Sequence, residues 1–278
     1  MDKIKMIKEL LWKPYFEIPW KCLLYKEDCF KWLKKINAKV FDWIITSPPY
    51  NIWKEYEKIM GVEEYVQRTK KWIKLVYDTS TSKANFLLNL WFLETDNGKC
   101  IPIPYLMWDK TDFYLIQELI WNYGAWVACK NRLSPRNEKI LWYTKDKENY
   151  TFNLDPIRDP NVKYPNSKKN WKLRTHPLWK NPSDVWYVPK ITTGTNRASK
   201  ERAPHPAQFP MELIDRLVKW FTNDNELVLD LFMWSWTTGD VCLRNNRLFV
   251  WFELMDTYIE YAKWRLTNTN NEINNKLI

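Results

Sequence analysis

The chain has 278 residues, room for one large domain or two modest ones, with 45% hydrophobic and 27% charged residues, the balance of an ordinary globular protein. Lys and Arg outnumber Asp and Glu by 43 to 33, a net charge of +10 that suits a polyanionic partner, nucleic acid first, and equally the plain reading of a merely basic, soluble enzyme. No apolar run reaches the roughly 18 residues of a membrane span, the start MDKIKMIKELLWK has no signal-peptide core, and the five cysteines show no C-x-x-C spacing, so neither a disulfide framework nor a metal site is expected and a cytoplasmic setting is.

The predicted elements alternate. Residues 22–36 read as a strand, a turn near Asp28 and a short helix, and VFDWIITS (40–47) is a buried strand stopped by Pro48 and Pro49. Val62, Tyr65, Val66, Thr69, Ile73 and Val76 have helical spacing over 62–78, and 84–93 is a second buried strand. DFYLIQELIWNYG (112–124) reads as a helix ended by Gly124, and 137–145 as a strand. Residues 146–209 then hold eight of the 16 prolines and little periodicity, as expected of a long loop or small insert. Regular signals resume with a helix over 210–221 behind Pro210, strands over 226–232 and 248–254, and a helix over 256–266 capped by Asp256. Strands alternating with helices imply a mostly parallel α/β sheet.

Two residue counts are abnormal. Glycine occurs 5 times, where about 7% usage predicts roughly 19, and tryptophan occurs 19 times. A fold of this size needs glycine wherever φ is positive or backbones approach closely, and tryptophan meets neither need. Trp53, Trp179, Trp234, Trp236 and Trp251 stand where glycine reads more naturally, whereas Trp142 and Trp186 suit aromatic strand positions. Translation of a gene in which UGA encodes glycine, using a table that reads UGA as tryptophan, produces this pattern. The alternative is a truly tryptophan-rich, inactive protein.

Two motifs carry chemistry. In ELVLDLFMWSWTTG a strand runs through Asp230 into a turn and a helix, and with glycine at 234 and 236 the positions 234, 236 and 239 spell G-x-G-x-x-G. Glu253 ends the next strand, 23 residues after Asp230, as a ribose-binding acid does in nucleoside sites. A dehydrogenase or a ligand-free βα turn shows the same elements. The second motif is TSPPY (46–50), at the C-terminal end of a strand, the edge where open α/β sheets bind ligands. Ser47 and the Pro48 carbonyl can accept the two hydrogens of an exocyclic amino group, Pro49 stiffens the turn, and Tyr50 can stack on a planar base.

Together these segments resemble the beta-class amino DNA methyltransferases, which methylate adenine N6 or cytosine N4. TSPPYN is similar to their catalytic motif and LDLFMWSWTTG to their cofactor motif; HPAQFPMELIDRLV (205–218), LFVWFELMDTYIEYAKWRL (248–266) and RNEKILWYTK (136–145) resemble flanking segments. The resemblance covers nearly the whole chain except roughly 146–200 and departs from the family at Leu231, Trp234 and Trp236. It implies a Rossmann-like methyltransferase fold, a mostly parallel sheet flanked by helices and permuted so that the catalytic motif precedes the cofactor motif. Residues 1–145 and 201–278 would form the catalytic and cofactor-binding domain, and 146–200 a small irregular target-recognition insert.

The implied cofactor is S-adenosylmethionine, held by Asp230, Phe232, Trp234, Ser235, Trp236, Thr237, Thr238 and Glu253, with Asp28 and His205 near the pocket. The implied catalytic set is Ser47, Pro48, Pro49 and Tyr50. Double-stranded DNA is the implied substrate, with Lys168, Lys169, Lys172 and Arg174 in the insert, and Arg132 and Arg136, as phosphate or base contacts; a cognate restriction endonuclease would complete a restriction-modification pair. The serine form of the motif leans to cytosine N4 and NIWKEY, read with glycine at 53, to adenine N6, so the target base stays open. An inactive DNA-binding homologue, if Trp234 and Trp236 are genuine, is the reading from another class; a nicotinamide-dependent dehydrogenase has no use for SPPY.

Overall fold

The computed structural model describes residues 2–51, 59–95, 99–124, 128–131, 133–191, 199, 201–203, 208–232 and 236–276. Helix α1 (Lys3–Leu11) starts where the Asp2 side chain accepts from the Ile4 amide at 2.9 Å, and buries Ile4, Ile7 and Leu11 at helical spacing. Strands β1 (Phe16–Ile18) and β2 (Cys22–Lys26) form a hairpin, followed by α2 (Cys29–Leu33), β3 (Phe41–Thr46), α3 (Val62–Thr79) and β4 (Ser80–Leu90). A side hairpin, β5 (Phe92–Glu94) and β6 (Cys100–Pro102), leads into the short α4 (Ile103–Met107), then β7 (Tyr114–Asn122) and β8 (Asn137–Thr144). After a single 3-10 turn, Asp155–Ile157, come β9 (Lys168–Lys169), β10 (Lys172–Leu173) and β11 (Val185–Tyr187). The chain closes with α5 (Met211–Phe221), β12 (Leu227–Asp230), α6 (Thr237–Arg244), β13 (Leu248–Glu253) and α7 (Asp256–Asn275).

Nine strands form one sheet in the order β1-β2-β13-β12-β3-β4-β8-β7-β11. The five from β2 to β4 run parallel, and β8 enters antiparallel to both β4 and β7. One face is covered by α5, α6 and α7 through Leu213, Leu217, Ile259 and Leu266; the other by α1 to α4 through Ile7, Leu33, Ile73 and Ile103. Buried on both faces, β3 and β12 are near-continuous apolar runs, which is why they are readable from sequence. The sheet, its flanking helices and the order of the two motifs are those expected of a Rossmann-like methyltransferase.

Residues 112–124 overturn an expectation. They form strand β7, not a helix, paired antiparallel to β8 and parallel to β11. Only Leu119 and Trp121 are buried within β7, alternate residues on one face, so the true period is two and the helical reading came from apolar residues on the open face. A smaller difference concerns Asp256: the N-cap of α7 is Met255 with no side-chain cap bond, and the Asp256 carboxylate instead pairs with Lys26.

The segment 146–200 is tied to the sheet at both ends. Ile157 and Trp186 are buried in the same core as α5, and β11 extends the sheet beyond β7. Between them the β9–β10 hairpin is exposed.

Gly239, in the first turn of α6, lies against β13: a Cβ there would meet the Phe249 ring at 2.9 Å and Leu266 at 3.3 Å. Phe249 is fully buried and has little room to shift. Gly239→Ala is therefore expected to lower stability by about 1–3 kcal/mol, read as a lower urea midpoint with an unchanged slope.

Candidate active site

Strand order reverses its winding between β12 and β3: β12 continues through α6 to β13 on one side, and β3 through α3 to β4 on the other. A crevice forms at such a switch point, beyond the carboxyl ends of the strands. Both motifs leave the sheet there. They are joined across the seam by Asp230, whose buried carboxylate accepts from Thr46 Oγ1 at 3.2 Å, Thr238 Oγ1 at 3.0 Å and the Phe232 amide at 3.3 Å. Burial pushes this carboxyl up to about 7 against the pull of those three donors. Asp230 thus stands behind the crevice as its tie.

The crevice itself is a cleft of about 360 Å³, within the size range of small-molecule sites. Asp28, Phe30, Pro49, Phe232, Glu253 and Tyr258 are among its walls. Glu253 Oε1 accepts the Leu254 and Met255 amides at 2.7 and 2.9 Å, which fixes the carboxylate at the end of β13, and burial raises its pKa. Asp28 also caps α2, accepting from the Phe30 amide at 2.7 Å, so the turn role and the pocket role read from the sequence coincide in one residue. Cys29 lines the cleft too, but burial holds its thiol up at about 12, unsuited to a nucleophile at neutral pH.

Thr237 and Thr238 open α6 but face inward: Thr237 Oγ1 donates to the Phe209 carbonyl at 3.0 Å and Thr238 to Asp230. Trp236, the N-cap of α6, has φ 58° and ψ 4°, a left-handed conformation that costs a non-glycine residue roughly 1–2 kcal/mol. Its ring is fully buried against Tyr261 and Tyr258, at 4.7 and 5.8 Å between centroids. Trp53, Trp234, Ser235, His205 and Arg132 lie outside the described residues.

Around the second motif the structure assembles a polar network. Ser47 Oγ lies 2.7 Å from the Tyr50 hydroxyl, which donates to Glu138 Oε2 at 3.1 Å. Asn89 Nδ2 reaches Tyr50 Oη and Glu138 Oε2, each at 2.7 Å, and Ser47 Oγ at 3.3 Å. Lys190 closes the far side at 2.8 Å from Glu138 Oε1, its ammonium 3.8 Å from the Tyr123 ring centre. Burial, reinforced by the Glu138 charge, holds the Tyr50 hydroxyl well above its ordinary pKa, so it stays protonated. Sequence reasoning missed Asn89, Glu138 and Lys190. Glu138 had a signal, an acid inside the flanking segment RNEKILWYTK, and Asn89 was a polar residue inside a buried strand.

Lys168, Lys169, Lys172 and Arg174 all project from the exposed β9–β10 hairpin, and Arg136 is exposed just before β8. Among the described residues no His, Cys, Asp and Glu cluster suits a metal ion, and no helix is long and apolar enough to cross a membrane.

A nucleoside-sized cleft at the switch point of a mostly parallel sheet, bordered by an S-P-P-Y turn, is a Rossmann-like arrangement. Comparison with known proteins gives the family. The DNA methylase model of the N6 and N4 type matches residues 41–264, and the chain belongs to that family. It is 48% identical over 261 residues to the type II methyltransferase M.ScaI of Streptomyces caespitosus, covering 94% of this chain and 86% of the relative. The fold matches that of the PvuII DNA methyltransferase (cytosine-N4-specific) with TM-score 0.67 at 19% identity, over 92% of this chain and 93% of the other. It matches the M1.HpyAVI–SAM complex with TM-score 0.59 at 24% identity, over 88% and 98%. The protein is a DNA methyltransferase.

Two outcomes follow from the buried charges. The Asp230 carboxyl has a raised pKa, so the folded state holds its proton more tightly than the unfolded chain does. Its contribution to stability is complete at low pH, falls as pH rises from the ordinary carboxyl range to about 7, and is flat above that. Asp230→Asn should remove that slope, measured as urea midpoints from pH 4 to 8. Glu138→Gln should cost roughly 1–3 kcal/mol of stability by weakening the Lys190 pair, read from the same denaturation curves.

Proposed function

We propose that the chain transfers a methyl group to an exocyclic amino nitrogen, adenine N6 or cytosine N4, of a base flipped out of double-stranded DNA, at a specific site. What carries the reading is Pro49: one residue of the S-P-P-Y turn is also a wall of the cleft that ends at Glu253. S-adenosylmethionine, when bound, supplies a methyl group already activated on a sulfonium. The residues present fit that cofactor. The Glu253 carboxylate suits ribose hydroxyls, Phe232 and Tyr258 offer aromatic walls, and the volume matches a nucleoside.

At the turn, Ser47 Oγ and the Pro48 carbonyl accept the amino hydrogens. This localises the nitrogen lone pair, otherwise spread into the ring, toward the cofactor side. Tyr50 must exchange its present bond to Ser47 for a position on the base face. Asn89 and Glu138 steady that loop in both states. Holding nitrogen and methyl carbon in line does the remaining work, since no covalent intermediate is needed.

The β9–β10 hairpin with its four basic residues, together with Arg136, supplies phosphate and base-edge contacts, and 146–200 is the recognition segment. The enzyme acts in the cytoplasm beside a cognate restriction endonuclease of the same specificity, which its methylation blocks.

Glu253→Ala should weaken S-adenosylmethionine binding by about 1.5–3 kcal/mol in calorimetry, the value of a charge-assisted bond. Unchanged affinity would reassign the ribose contact. Changing Lys168, Lys169, Lys172 and Arg174 to Ser should weaken DNA binding and flatten its salt dependence. Methylated DNA digested to nucleosides should yield N6-methyladenine or N4-methylcytosine; 5-methylcytosine alone would reject the assignment.

A further inference from the structure

Ten described residues have φ in the left-handed region, and their identities are unusual. One is Gly124, four are asparagines (Asn51, Asn170, Asn225, Asn246), and five are tryptophans: Trp12, Trp20, Trp171, Trp179 and Trp236. Glycine enters this region without strain, and asparagine is enriched there because its short amide bonds to nearby backbone. Tryptophan has neither property, yet five of the chain's 19 tryptophans sit there.

Trp20, Trp171 and Trp12 also occupy places whose backbone geometry asks for glycine. Ile18–Lys21 is a turn closed by the Lys21 amide on the Ile18 carbonyl at 3.0 Å, with Pro19 second and Trp20 third at φ 64°. That is a type II turn, whose third position requires φ above zero and takes glycine. Between β9 and β10 stand two residues, Asn170 at φ 51° and Trp171 at φ 64°. That is a two-residue hairpin of type I′, for which Asn-Gly is the preferred pair. Trp12, at the end of α1, has φ 64° and ψ −148°, close to a region that only glycine enters. The Trp179 amide itself closes a turn on the His176 carbonyl at 2.9 Å, with φ 73°, and Trp236 is the left-handed N-cap of α6.

Burial does not explain these tryptophans. Trp12, Trp20, Trp171 and Trp179 are 86%, 66%, 93% and 52% exposed, so their rings gain little from packing. Trp236 is the converse: fully buried, with its indole N–H, like those of Trp43, Trp220 and Trp251, without a hydrogen-bond partner among the described residues. A second population behaves as tryptophan should. Trp121, Trp142 and Trp186 are buried strand residues whose indole N–H groups donate to the Val188 carbonyl (2.7 Å), Asn85 Oδ1 (2.9 Å) and the Ser183 carbonyl (2.6 Å).

We infer that positions 12, 20, 171, 179 and 236 are glycine in the protein as its cell makes it, because UGA in this gene is read as glycine. The host then holds a glycine-charged tRNA whose anticodon pairs with UGA. Trp179 and Trp236 were singled out by sequence alone, and Trp12, Trp20 and Trp171 are added by the backbone. Trp251 lies in β13 without a positive φ, so the backbone argument does not extend to it.

The gene's codons test this without reference to catalysis. UGA is expected at all five positions and UGG at 121, 142 and 186; UGG at any of the five overturns the inference. Tryptic peptides of the protein from its native cells should carry the mass of glycine at 20 and 171, and a tryptophan mass there overturns it as well. In the chain expressed as written, Trp20→Gly and Trp171→Gly should each raise the urea midpoint, whereas Trp142→Gly should lower it. A fall in midpoint for Trp20→Gly or Trp171→Gly would contradict the turn argument. None of these readouts moves if the methyltransferase assignment itself is wrong.

Discussion

A carboxylate cut off from water holds the seam on which both motifs depend. Asp230 ends β12, takes a hydroxyl from Thr46 at the end of β3, and takes another from Thr238 in the first turn of α6. The residue after Thr46 is Ser47, and the walls of the cleft begin at Leu231 and Phe232. One side chain therefore sets the distance between Ser47, the proposed amino-group acceptor, and the cleft proposed for the cofactor. Methyl transfer demands that the two reacting atoms meet in line, and small displacements there are costly. A buried acid with three donors is a stiff link, because losing any donor leaves a polar atom unpaired in a medium that penalises it.

The catalytic turn is built on a different balance. Ser47, Tyr50, Asn89, Glu138 and Lys190 form a connected set drawn from the β3 loop, β4, β8 and the loop after β11. In this state the tyrosine ring is held by its hydroxyl, and the serine that would receive an amino hydrogen has the tyrosine as neighbour. A base entering the turn as proposed replaces one hydrogen bond with another, which is close to neutral, and gains ring stacking besides. A base without an exocyclic amino group offers no such replacement and leaves Ser47 with a poorer partner. On the proposed reading of this turn, selectivity for an amino-bearing base follows from that exchange.

The sequence exposed the parts of the fold whose environment is uniform. Strands β3, β12 and β13 are buried on both faces, so their apolar runs carry the signal without reference to neighbours. Strand β7 is half-open: Tyr114, Leu115 and Gln117 are exposed, and apolar residues outside the buried face imitated a helix period. The motif turns were legible because Pro and Ser there have geometric meaning in isolation. Glu138 and Asn89 were not, since their roles exist only once β4 and β8 pair and place Asn89 opposite Ile140, two residues from Glu138. Contacts across a sheet are invisible to a reading that moves along one strand.

The distribution of left-handed tryptophans bears on what a misread chain can still do. Four of the five project from surface turns, where a ring in place of a hydrogen strains the backbone and is otherwise accommodated by solvent. Position 236 differs. Its backbone starts α6, and its ring fills interior space against Tyr258, itself a wall of the cleft proposed for the cofactor. With glycine there, that volume is released behind Tyr258 and the N-terminal amides of α6 face less bulk. Gly239, whose absent Cβ is required by Phe249, remains glycine in the same helix. The fold thus accommodates the exposed substitutions and concentrates the damage at position 236, whose ring packs behind a wall of the proposed cofactor cleft. On the proposed reading of the cleft, a chain that folds yet holds its methyl donor poorly is the physical consequence of tryptophan at 236.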